Sequence, residues 1–124
     1  MPQNPQDLPP EAQQMIGELQ QQQHQLQQMN EQKAELQAQK VQMDKAIDAL
    51  QDAEEDDEVF RVVGPAVIKT ERNEFLEDLQ DKQEALEVKL ESLDKKEDEI
   101  EEKAKENQQK LQSLMSGGSS GEAR

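Results

Sequence analysis

The sequence predicts a mainly α chain, an antiparallel two-helix coiled coil with a single β-hairpin at its elbow. Three observations carry this. Two long stretches repeat apolar residues with a heptad spacing. A short run between them is rich in β-branched residues around a Gly-Pro pair. The two stretches are closely matched in length, with 43 residues from Glu11 to Ala53 and 45 from Glu71 to Met115.

The first stretch is built from Gln, Glu, Lys, Ala, Leu and Met, all good helix formers, with no Pro and only Gly17. With Leu19 at heptad position a, the a set is Ala12, Leu19, Leu26, Lys33, Lys40 and Ile47, and the d set is Met15, Gln22, Met29, Leu36, Met43 and Leu50. Nine of these twelve are apolar, which is the sustained seam of a coiled coil rather than the pattern of a disordered chain. Lys33 and Lys40, at a positions, read as register-setting residues.

Five consecutive acids, Glu54 to Glu58, follow. Negative charge is unfavourable at a helix C-terminus, so the first helix should end near them. The run lacks the alternating ligands and the Gly of a calcium loop and reads as solvated linker. The next residues, Val59 to Thr70, change character: Val59, Val62, Val63, Val67 and Ile68 are β-branched and Phe60 is aromatic. Gly64 can supply the positive φ of a two-residue turn and Pro65 can follow it, so this is a β-hairpin. It carries apolar residues on both faces and has two open edges. Because an isolated hairpin is marginal in water, it should pair with hairpins of other chains and close an oligomeric sheet or β-barrel hub.

In the second stretch, with Leu76 at a, the a set is Leu76, Gln83, Leu90, Glu97, Ala104 and Leu111, and the d set is Leu79, Leu86, Leu93, Ile100, Asn107 and Leu114. Nine of twelve are again apolar. Thr70 is the expected N-cap, with Glu71 and Glu74 in the first turn. Ser116-Gly117-Gly118 should stop the helix and begin a flexible tail. Each arm would be about 65 Å long. A tight reversal lays one along the other, pairing a with d: Ile47 with Leu79, Leu50 with Leu76, Leu36 with Leu90, Leu26 with Ile100 and Met15 with Leu111. The expected divisions are a flexible N-terminal tip over 1–8, a first helix over 9–56, the hairpin over 57–70, a second helix over 71–115 and the tail over 116–124.

Composition narrows the function. Only 31% of the 124 residues are hydrophobic and 35% are charged, so a large globular interior is not available. There is no cysteine, one histidine (His24, at the outward f position), and no Gly-rich phosphate loop, which leaves no nucleophile, cofactor or metal constellation and points away from an enzyme. The net charge of −15 sets the chain against nucleic acid and anionic membranes. The N-terminal MPQNPQDLPPEAQQ has neither the basic end nor the apolar core of a secretory leader, so a cytoplasmic address is expected. The Gln-rich stretch from Gln20 to Gln28 is low-complexity and reads as a solvated helix face.

A long coiled coil opened by Leu8-Pro9-Pro10, the hairpin with Val62-Val63-Gly64 and Ile68-Lys69-Thr70, and a second coiled coil of equal length together resemble the β-class subunit of prefoldin over residues 8–115. The resemblance implies a hexamer of two α-class and four β-class subunits, joined by their hairpins into a double β-barrel. It also implies ATP-independent capture of unfolded polypeptides at the coiled-coil tips and their delivery to a group II chaperonin. The acidity of so small a chain looks like that of a halophilic archaeal protein. Leu8, Met15, Ile16, Leu19, Leu111, Leu114 and Met115 would be the client-binding residues at the tips, Met being a flexible, polarizable contact for varied partners. Met15, Leu19, Leu111 and Leu114 equally complete the a and d seam, whereas Ile16 and Met115 lie outside it. Val59, Phe60, Val62, Val63, Val67 and Ile68 would be the oligomerisation hairpin. A structural coiled-coil spacer or adaptor with one fixed partner is the alternative, and it gives the hairpin no task beyond assembly.

Overall fold

The computed structural model describes residues 8–117 and contains two long α-helices joined by a two-stranded antiparallel sheet. Helix α1 spans Pro10–Asp52, strand β1 Val59–Val63, strand β2 Ala66–Thr70 and helix α2 Arg72–Gln112, after which Ser113–Gly117 form a wider π turn. Residues 1–7 of the expected tip over 1–8, and residues 118–124 of the expected tail over 116–124, lie outside the described residues. The chain divides into two units, Gln32–Ser92 and the residues up to Glu31 together with those from Leu93 onward.

The heptad frame accounts for burial in both helices. Every a and d position is buried or half-buried, the polar ones included, while most b, c and f positions are exposed. In the 32–92 unit the seam is filled by Leu36, Ile47, Leu50, Leu86 and Leu90, all buried. Two polar seam residues in this unit, Lys40 and Gln83, reach out of the interface to partners on the opposite helix. Lys40 Nζ lies 3.7 Å from Glu87, and the Gln83 amide donates to Asp44. These contacts sit one residue off the expected a–d pairs of Lys40 with Leu86 and Gln83 with Met43, as flanking positions do in a coiled coil. A Leu90→Ala chain should lose roughly 2–5 kcal/mol of stability through the cavity left in this seam. In chemical denaturation this reads as a lower midpoint at unchanged slope.

The connection between the helices differs from expectation in detail. Helix α1 stops at Asp52, short of the expected boundary at 56, with Ala53 N–H donating to Ala49 O as its last bond. The acids form a turn instead: Glu54 N–H donates to Asp57 Oδ2 at 2.8 Å and Asp57 N–H to Glu54 O at 3.1 Å. Thr70 does not cap α2, because it is held extended opposite Val59 in the sheet. The cap position passes to Glu71, whose carbonyl accepts the first helical bond from Phe75 N–H at 3.0 Å.

Register in the hairpin runs from Val59 opposite Thr70 to Val63 opposite Ala66. Gly64-Pro65 is therefore a two-residue turn, with Gly64 at φ +58°. Pro65 cannot take positive φ, which leaves the II′ form with its single left-handed residue, filled here by the one residue type that adopts it without strain.

Candidate functional site

The sequence singles out two places, the hairpin in the 32–92 unit and the helix ends in the other unit. In the hairpin, side chains alternate between two faces. Val59 is buried, and Arg61 on the same face reaches α2: its guanidinium lies 4.6 Å from the centroid of the Phe75 ring and donates to Asp78 Oδ2 at 3.1 Å. Phe60 and Val62 point the other way, with Val67 and Lys69 opposite them. Val62 is 74% exposed, Val67 65% and Phe60 53%, and Val63 and Ile68 on the first face are exposed as well. Of the six hairpin residues expected to drive oligomerisation only Val59 is covered, so two half-apolar faces and two unpaired strand edges are presented together.

Two arginines fix the root of this hairpin, and sequence reasoning missed both. Besides the Arg61 contacts, Arg72 at the start of α2 donates from Nε to Leu50 O at 2.7 Å and from Nη2 to Gln51 O at 3.2 Å. The last carbonyls of a helix have no intrahelical donor, and a planar, always-charged guanidinium can serve two of them at once. A signal was available: the chain uses Lys for most of its 14 basic residues, yet places Arg within β1 and at the start of α2. An Arg72→Ala chain should lose about 1.5–3 kcal/mol, the range for hydrogen bonds to a charged group, seen as a lower thermal midpoint with the helical spectrum retained.

In the other unit, Asn107 Nδ2 donates to Glu18 Oε2 at 3.1 Å and Gln22 Oε1 at 3.4 Å. That bracket sets Leu19 opposite Asn107, and the same register sets Met15 opposite Leu111 and Ala12, fully buried, opposite Leu114. The start of α1 is further pinned by Gln13 Nε2 donating to Leu8 O at 3.0 Å. Leu8, Met15, Ile16, Leu19, Leu111 and Leu114 are half-buried, and Met115 is 54% exposed. All seven proposed tip residues thus belong to one unit, with only Ala12 and Leu93 of its described apolar residues buried. This seam is looser than that of the 32–92 unit. Its apolar side chains are open to contact without unfolding the helices.

His24 is exposed at its f position. The carboxylates of Glu54, Asp56 and Asp57 gather within 4.8 Å of one another, all exposed, in the turn their own backbone bonds close. What both places offer chemically is non-covalent: apolar surface and strand edges at the hairpin, a loose apolar and amide-rich seam at the helix ends. No helix among the described residues is long and apolar enough to cross a membrane.

Comparison with known proteins agrees with this arrangement. The family model described as "Prefoldin subunit" matches residues 13–118. The crystal structure of the prefoldin beta subunit from Thermococcus strain KS-1 is similar at a TM-score of 0.80 and 35% identity, covering 87% of this chain and 95% of that one. No curated protein matches the sequence at the stringency applied.

Proposed function

The chain belongs to the prefoldin subunit family, and on that premise we propose that it is a β-class subunit of a hetero-oligomeric, ATP-independent chaperone. Its hairpin joins those of α-class and further β-class subunits in a hexamer of two α and four β chains. Its helix ends hold unfolded polypeptides in the cytoplasm and pass them to a group II chaperonin. One observation supports the assembly reading above all. Phe60, Val62 and Val67 are exposed on a sheet whose edges are both unpaired, a surface that water tolerates poorly and that other hairpins would cover.

The client reading is supported by the loose seam around Met15, Leu19, Leu111 and Leu114 and by Met115 beside it. Each such contact is weak, and several subunits acting on one chain convert weak contacts into retention. The test is sedimentation of the purified chain with an α-class subunit, in high KCl to screen the −15 charge. The expected result is one species with the mass of six chains. Separate sedimentation of the two would remove the assembly reading.

A further inference from the structure

We propose that an unfolded client is gripped through its peptide backbone, by glutamine amides lining two grooves that flank the helix pair around residues 18–26 and 100–108. The inference rests on the client-holding reading above and names the chemistry of that site about one to four turns inward from the helix ends. Its starting point is a gap in the charge pattern. On a chain that is 35% charged, no residue between Glu18 and Glu31 carries a formal charge, and Gln takes the positions that Glu and Lys hold elsewhere.

The structure gives this stretch something to line. The seam layers Leu19 with Asn107 and Gln22 with Ala104 are polar or small and leave the interface underfilled, so a groove opens on each side. On the g flank, a groove of about 260 Å³ is bordered by Gln21 and Gln25 with Ile100, and by the pair Glu18 and Lys103. On the e flank, a groove of about 370 Å³ has Leu19, Leu26 and Ala104 as its floor and Gln23 and Gln108 at its rim, with Glu101 and Lys105 beside them. Each groove therefore carries one acid and one base and is electrically neutral, on a chain of net charge −15. Gln21, Gln23, Gln25 and Gln108 are exposed and make no hydrogen bond among the described residues.

A primary amide offers two donors and an acceptor without charge, the complement of a peptide N–H and C=O. An extended segment whose alternate side chains point down can place an apolar one over Ala104 while its peptide groups meet Gln23 and Gln108. An acidic or basic partner would call for rims of opposite charge. A second copy of this chain would present helix faces that are mostly charged, which neutral amide rims do not complement. A neutral, unpaired backbone is the occupant these rims fit, and its binding should not depend on salt.

The test uses the full chain assembled with its α-class subunit and a short fluorescent peptide of Ser, Thr and Leu with no charged side chain. The same peptide with alternate backbone nitrogens methylated is the control. Wild type should bind the N-methylated peptide about tenfold more weakly at low and high KCl, the loss expected for one or two hydrogen bonds. The Gln21→Met, Gln23→Met, Gln25→Met, Gln108→Met chain should bind both peptides equally weakly, with assembly mass and helical circular dichroism unchanged. Equal loss on N-methylation in both proteins, or tighter binding of both peptides by the Met variant, would overturn the proposal while leaving client holding in place. A fall in assembly mass would overturn it by making the rims an interface between copies. Wild type that holds neither peptide nor a full-length unfolded client would remove both readings.

Discussion

A chain carrying Val62→Glu and Val67→Lys keeps its helical circular dichroism and sediments as a small species instead of joining a hexamer. The two residues are cross-strand partners on the face turned away from α2, so an opposite-charge pair there satisfies the hairpin itself. Arg61, Phe75 and Asp78, which tie the sheet to α2 from the other face, are untouched, as is the seam. What is lost is the apolar surface another hairpin would cover. Full burial of a Val side chain contributes about 1.5–3 kcal/mol, and two charges in its place must be desolvated. With two such sites per subunit the cost accumulates around any closed ring of hairpins. Retention of full assembly mass by this variant would contradict a hub built from these faces.

Much of the fold was legible because heptads are a local, repeated signal. Placing Leu19 and Leu76 at a orders every seam position of both helices, including the polar Lys33, Lys40, Gln83 and Asn107, and all of these are indeed withdrawn from full exposure. The Gly64-Pro65 turn was legible for a similar reason, since only a few residue pairs fit a two-residue hairpin. What escaped was non-local. The carbonyls that Arg72 serves belong to residues 22 and 21 positions earlier, and no spacing rule connects them until the hairpin has folded. Thr70 looked like a cap by residue type, yet the ladder partner Val59 claims it. The end of α1 was blurred because Glu54–Glu58 combine good helix formers with an unfavourable charge, and the Asp57 carboxylate settles the matter by accepting from Glu54 N–H. Residue type marked the tip and hairpin surfaces as apolar, but their exposure depends on which helix or sheet lies beside them. Val59 and Val62, three residues apart, end at opposite extremes.

Removing the helix ends, and with them Glu18, Leu19 and Gln108 of the two grooves, should sharply weaken client capture while sparing assembly. A chain of residues 20–107 lacks Leu8, Met15, Ile16, Leu19, Leu111, Leu114 and Met115 but keeps the whole hairpin and the buried seam of Leu36, Ile47, Leu50, Leu86 and Leu90. The deleted turns contribute little to stability, with Ala12 the only buried hydrophobic among their described residues. Multivalent capture falls as a power of the affinity of each arm, so weakening every arm together costs far more than any single substitution.

The most direct measurement is light scattering of a chemically unfolded client diluted into multimolar KCl. The complex built with the full chain is compared with the same complex built from residues 20–107, assembly mass being checked for both. Suppression of scattering by the full chain and its loss in the shortened one is the result expected if the helix ends hold the client. Equal suppression by the two intact assemblies would contradict it and move client binding away from the tips.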